Sequence, residues 1–460
     1  MIADKPRQIG LAAWDARYRA VQRAGHTQPA YGGPLRRHLA DGDLRLRSLR
    51  YDNSAAALDL WNFLLTEEAR LHAARASGKI IVGAMKDLGT VPVMAYALPN
   101  VVAFYPDGAW WIPCVMELCD DALSAADALG VDESFCPVRA MLGAFVNGDH
   151  FPIPDLLTCS VGATCDDFSA IAQRVEGLGH PIVWWEIPHR RPPEAGEAAV
   201  TLPGGCVAPV SQVAVVRLEL ERVRQALAKG VGLKLTEQKL RAGIAFANRV
   251  RRCLAELRRL SFTAPVCPLP ALELLIAEML AIHYCSDRDE TLRVLTGLLR
   301  EVRRRVRAGV GHFDPAAPRI FWVNPVADLR AMNLLEQVGG RLCGTEYLFL
   351  HALDEIPTDL PPMEALARMA LADPMVGSAQ ERAERICREV VRFGAQAVVI
   401  SRIPGASHCA SEGSVIAGQV RQKLGLPVVE IEVPPMMDAL RETLRTRLAA
   451  LVETVKESQP

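Results

Sequence analysis

Residues 156–175 read LLTCSVGATCDDFSAIAQRV, and the reading of this stretch decides the fold. Its first six residues form a short apolar run of strand length, and Gly162 ends it. From Asp166 onward Phe168, Ile171, Ala172 and Val175 recur at three- and four-residue intervals, the period of a helix with one apolar face. Gly177 and Gly179 then mark the helix end. A strand that passes directly into a helix is the building unit of a parallel α/β sheet. Cys165 stands at the junction. Cys136, in ESFCPVRAMLGAF (133–145), stands at the start of another helix. Cys409, in AVVISRIPGASHCASEGSVIAGQV (397–420), lies between a strand and a helix.

Ligands bind a parallel α/β sheet in the crevice beyond the carboxyl ends of its strands, so residues far apart in sequence meet there. Helix N-termini add unpaired N–H groups and positive dipole ends, which favour thiolates. Three converging thiolates form an incomplete tetrahedral set, the arrangement an iron–sulfur cluster with one open iron requires. The same positions also suit ordinary buried thiols. No compact CxxC signature accompanies them.

Outward from these segments the pattern continues. Strand candidates KIIVGAM (79–85), NVVAFYP (100–106), DLLTCSV (155–161) and HPIVWWEIP (180–188) alternate with helices. HRRPPEAGEAAVTLPGG (189–205) breaks the periodicity and marks a boundary. Four helical stretches follow between about 209 and 309, and then strands RIFWVNP, AQAVVISRI and LPVVEIEV and a closing helix from about 435. The expected architecture is two doubly wound parallel-sheet domains with a helical N-terminal extension and a helical middle segment. The expected boundaries are 1–78, 79–208, 209–312 and 313–460. No internal repeat is legible.

Half of the 460 residues are apolar, which suffices for sizeable cores. The formal net charge of −1 argues against a nucleic-acid binder or a membrane-surface protein. Neither a signal-peptide pattern nor an apolar run of membrane-spanning length occurs, so a cytoplasmic protein is expected. Twelve cysteines in that setting read as reduced thiols or ligands, not disulfides. The basic residues are eight Lys and 44 Arg, an excess that suits phosphate recognition as well as a GC-rich genome. With no GxxxxGK[ST] motif, ATP binding through a P-loop is not expected.

FCPVRAMLG (135–143), GATCDDF (162–168) and SRIPGASHC (401–409), the last leading into GQVRQKLGLPVVEIEV, resemble the 2-hydroxyacyl-CoA dehydratase and benzoyl-CoA reductase family. The resemblance runs from about residue 79 to the end. It implies one 4Fe–4S cluster per chain, held by Cys136, Cys165 and Cys409, with one iron left open. It also implies a CoA-thioester substrate whose carbonyl takes up one low-potential electron to give a ketyl radical. Loss of the 2-hydroxyl then gives dehydration, whereas a second electron and a proton at an aromatic ring give reduction. A homologous second subunit, an ATP-dependent iron–sulfur activator protein and an acyl-CoA substrate are the implied partners. The Arg excess sets benzoyl-CoA-type ring reduction slightly ahead of 2-hydroxyacyl-CoA dehydration. An electron-transfer or accessory subunit without its own substrate site is the alternative, as is a double-cubane reductase. Relatives with a double cubane carry further cysteines, whereas here KIIVGAMKDLG and LADPMVGSAQER hold none; only Cys343 resembles such a position.

Other residues near the motifs carry two readings. Cys114, Cys119 and Cys159 suit either a fourth ligand or buried packing. His189, Arg190 and Arg191 suit a CoA phosphate or a loop cap. Glu346 and Tyr347, read as a loop in CGTEYLF, are candidates for substrate contact or proton transfer. His408, beside Cys409, is a candidate for tuning the cluster or moving protons. His283, Tyr284 and Cys285 occupy an apolar helix, where a core histidine is the plainer reading. Phe135, Met141 and Phe168 are candidates for the apolar walls of a cleft between the two domains.

Overall fold

The computed structural model describes residues 52, 54–65, 67–87, 89–108, 119–283, 286–348, 350–407, 411–435 and 437–458. Residues 14–25, part of the expected helical N-terminal extension, and Cys114, Tyr284, Cys285, His408 and Cys409 lie outside the described residues, as does the side chain of His283.

Two parallel four-stranded sheets organise the chain. The first contains β1 (Ile80–Met85), β2 (Val101–Phe104), β3 (Leu156–Gly162) and β4 (Ile182–Ile187), in the order β2-β1-β3-β4. A short antiparallel hairpin of β5 (Ala199–Thr201) and β6 (Val207–Pro209) follows. The second sheet contains β7 (Arg319–Val323), β8 (Arg341–Glu346), β9 (Ala397–Arg402) and β10 (Val428–Glu432), in the order β10-β9-β7-β8. Read from its second strand, this is the same order as in the first sheet. The architecture therefore repeats although no sequence repeat is legible, because pleat alternation and short crossovers constrain topology without fixing residue identity. In each sheet the strand order reverses between the first strand and the third. The two switch points thus lie between β1 and β3 and between β7 and β9.

Strand β1 shows how these elements form. Val82 and Ala84 point into one core, whereas Ile81 and Met85 point into another on the opposite face. Burial on both faces explains why the strand reads as a continuous apolar run. The larger core extends from β1 and β4 through the middle helices to Trp322 and Val399 of the second sheet.

Two segments differ from their sequence reading. Arg341–Glu346 forms the strand β8, which takes in the first four residues of CGTEYLF (343–349), the segment expected to be a loop. Its one β-branched residue and its glycine give a weak strand signal. Gly344 is nevertheless required there, because a Cβ would collide with the Phe321 ring beside a register shift in β7. The Pro- and Gly-rich stretch at 189–205 is partly ordered by the β5–β6 hairpin.

Helix Glu237–Thr263 runs past both sheets. Gly243 lets it approach the carbonyl of Val93 in helix Val91–Tyr96. Further along, Asn248 exchanges two hydrogen bonds of 2.8 Å with the backbone of Ile356. The buried Arg251 donates to the carbonyl oxygens of Gly89 (3.4 Å) in the first half and Asp354 (3.0 Å) in the second. At the N-terminal end of the described chain, helix Ala55–Leu65 packs on helix Arg288–Ala308. Asp59 there receives both guanidinium nitrogens of Arg293 at 2.7 and 2.8 Å.

Candidate functional site

The loops beyond the carboxyl ends of the two sheets meet each other. Cys165 caps helix Asp166–Gly177 at the end of β3, with the non-helical backbone angles of an N-cap residue. Burial pushes its thiol up, while the backbone N–H groups of Phe168 and Asp167 and the nearby Lys86 pull it down. Cys136 caps the turn Pro137–Arg139 in the same way and is half-buried. It packs against the first half's second core and also against the small cluster of Ala327, Ile403 and Ala406 in the second half, on which Leu348 packs as well.

The loop leading to Cys409 touches both of those segments. At Gly405 the backbone has φ +77°, and a Cβ would collide with the carbonyl of Phe135, the neighbour of Cys136. Two residues later, the N–H of Ser407 donates to Asp167 Oδ2 at 2.9 Å, next to the cap formed by Cys165. Among the described residues no three His, Cys, Asp or Glu side chains converge as a metal set; two of the three expected ligands are described. No disulfide joins the described cysteines. Both described candidates open a helical turn at the crevice, and the segment bearing the third is anchored between them. A sulfur-ligated group bound there would find N–H donors already turned toward Cys165.

Three other cysteines near the motifs sit deeper. Cys159 lies within β3 and Cys343 within β8, and burial pushes each thiol up to about 12. Cys119 is a buried cap of helix Asp120–Ala128.

The end of β8 carries a buried charge network that sequence reading only touched. Arg382 donates at 2.5 Å to Glu346 Oε2, Glu412 Oε2 and Asn324 Oδ1. Burial opposes its charge, yet the two carboxylates hold its pKa above the ordinary guanidinium value. Tyr347 turns the other way: it is buried in the large core, with its hydroxyl 3.9 Å from the Met332 sulfur. Met141 is fully buried, Phe168 nearly so, and Phe135 partly exposed beside the crevice.

Arg190 joins the halves from the side. Its guanidinium donates to the carbonyl of Leu371 and, at 3.2 Å, to that of Asp373, and its backbone N–H donates to Val376 at 2.8 Å. Arg191 forms a bidentate pair with Glu197 at 2.6 and 2.7 Å. Of the two readings for these arginines, the loop contacts are the ones present.

Asp373, in that clamped turn, is a buried acid that sequence reading passed over. Burial pushes its pKa up to about 7, partly offset by the N–H of Met375, 2.8 Å from Oδ1. His351 Nε2 lies 3.9 Å from its other oxygen. A carboxyl whose folded pKa lies above the unfolded 3.8 stabilises the fold most below about pH 4 and loses that contribution as the pH rises toward 7. Between those limits the loss approaches about 4 kcal/mol. Asp373→Asn should therefore lose less stability than the parent in urea titrations at pH 4, 5.5 and 7. Parallel pH profiles for the two proteins would contradict the assignment.

A separate cavity of about 390 Å³ lies at the amino ends of β1 and β2, lined by Lys79, Asn100, Arg288 and Glu290 among others. It is at the wrong end of the sheet to share the crevice. No helix among the described residues is long and apolar enough to cross a membrane.

Two parallel four-stranded sheets whose carboxyl-end loops touch, with Cys136 and Cys165 opening helical turns there, define an α/β protein of two units with a candidate site where they meet. The family model for 2-hydroxyglutaryl-CoA dehydratase, D-component, matches residues 95–455, and the chain belongs to that family. The match includes Cys136, Cys165 and Cys409. A curated relative in Escherichia coli (strain K12), "Putative dehydratase subunit YjiM", is 26% identical over 251 residues. The alignment covers 52% of this chain and 63% of that protein.

Proposed function

We propose that this chain is the 4Fe–4S subunit of an oxygen-sensitive 2-hydroxyacyl-CoA dehydratase, with the cluster held by Cys136, Cys165 and Cys409. The observation that carries the reading is the anchoring of the Cys409 loop on Phe135 and Asp167, one residue from Cys136 and two from Cys165. When bound, the cluster supplies single-electron transfer and a Lewis-acidic iron at its open position. The chain's own residues provide the rest. Phe135, Leu348 and Ile403 line an apolar approach that limits water. Glu346 and Tyr347 shape that wall from behind, since Arg382 engages one and the Met332 side of the core encloses the other. His408 is the proposed proton-moving neighbour of Cys409.

Dehydration is placed first because the family and the relative in Escherichia coli are both named as dehydratases. The earlier preference for ring reduction rests on composition alone. A homologous second subunit, an ATP-dependent activator and a cytoplasmic setting complete the proposal, and the chain's division at 79–208, 209–312 and 313–460 is kept with it.

Anaerobic iron and sulfide quantitation with EPR of the dithionite-reduced protein tests this directly. About four irons per chain are expected for a single cubane. With the partner subunit present, a 2-hydroxyacyl-CoA should perturb the signal, and more strongly than an aromatic acyl-CoA. Iron-free protein after anaerobic purification and reconstitution would rule the cluster out. A four-iron signal indifferent to both thioesters would favour an accessory electron carrier.

A further inference from the structure

Lys86 is the first residue after β1, at the switch point of the first sheet. Its backbone is left-handed, with φ +57°, a conformation that is strained for a non-glycine residue and persists where its surroundings enforce it. The enforcement comes from β3: the buried hydroxyl of Ser160 donates to the Lys86 carbonyl at 2.5 Å. The side chain is only 6% exposed, and Nζ donates to Ser169 Oγ at 2.5 Å. Ser169 lies in the first turn of the helix that Cys165 opens, and its N–H bonds back to the Cys165 carbonyl.

A buried lysine ordinarily has an ion-pair partner. Among the described residues, no carboxylate stands within ion-pair distance of Lys86. The groups that face it electrostatically are Cys159 and Cys165, Asp166 on the helix and Asp373 on the clamped turn. Burial works against its charge, and those four groups work for it.

The second sheet offers an internal control. Its equivalent position, the first residue after β7, is Asn324, also left-handed at φ +69°. There the bend is served by a neutral side chain, which bonds the Ser401 carbonyl at 2.8 Å. The bend therefore does not require a lysine. What Lys86 adds at the cysteine-bearing end is a positive charge.

Resting on the cluster reading above, we propose that Lys86 is a positioning residue that offsets the negative charge of the thiolate-ligated cluster and sets its reduction potential. Net charge around an iron–sulfur cluster is one of the protein's main controls on potential. A nearby cation favours the reduced, more negative state, and burial strengthens the effect.

The test compares Lys86→Asn, Lys86→Met and Lys86→Arg with the parent, reading iron content and the midpoint of an EPR-monitored redox titration. Asn reproduces the neutral solution found at residue 324. With parental iron content, the two neutral variants should shift the midpoint downward by about 59 mV or more, a tenfold change for a one-electron couple. Lys86→Arg should stay close to the parent. If the neutral variants lose iron while Lys86→Arg keeps it at the parental potential, the charge role is again supported. A parental midpoint in Lys86→Asn would overturn it, as would iron loss in all three variants, which would assign Lys86 to packing. An iron-free parent would instead defeat the cluster reading itself.

Discussion

Cys165→Ser protein is expected to fold normally and to lose its iron. Serine is a good N-cap, so the helix Asp166–Gly177 should keep or slightly gain stability when Cys165 is replaced. Removing a ligand should nevertheless weaken cluster binding by at least about 100-fold, since even indirect partners of metal sites cost 10–100-fold. The same contrast applies to Cys136, whose capping position also tolerates serine. Cys159→Ser and Cys343→Ser are the natural controls. Both place a hydroxyl at a fully buried strand position, so they should lose stability and keep iron. Iron and sulfide content beside urea unfolding separates the two patterns. Full iron in a triple Cys136, Cys165 and Cys409 variant would refute the ligand set.

Arg382→Met should be the most destabilising single change at the second sheet. It would leave Glu346 and Glu412 buried without their shared cation, and truncating one member of a buried ion cluster costs about 3–5 kcal/mol. Asn324 Oδ1 would also lose the Arg382 donor, although its amide nitrogen keeps the Ser401 carbonyl. Adding Glu346→Gln to the variant should restore part of the loss, because one uncompensated charge is removed with it. Urea unfolding of the single and double variants measures both effects. A cost below about 1 kcal/mol would contradict the buried ion cluster as a stabilising element.

Much of this architecture was legible because burial on both faces writes a strand as an apolar run. KIIVGAM, NVVAFYP and AQAVVISRI announced β1, β2 and β9 for that reason. Arg341–Glu346 did not announce itself: its glycine is dictated by the Phe321 ring on a neighbouring strand, a contact that no local pattern encodes. The cysteines at Cys136 and Cys165 were legible as helix openers. Lys86 was not, although a polar residue directly after a buried strand was a signal available in KIIVGAMKDLG. Asp373 and Arg382 became notable only through partners distant in sequence. Arg190 and Arg191, free to bind phosphate by composition, are engaged by Leu371, Asp373 and Glu197.

Helix Glu237–Thr263 has a consequence for how the protein works as a mechanical object. Chains with two α/β units commonly swing about a hinge to admit and enclose a ligand. Here a single rod touches Val93 and Gly89 on one side and Asp354 and Ile356 on the other. Arg190 adds a strut at a separate point. Any swing of one half against the other would have to break the Arg251 contacts on the rod and the Arg190 contacts on the side.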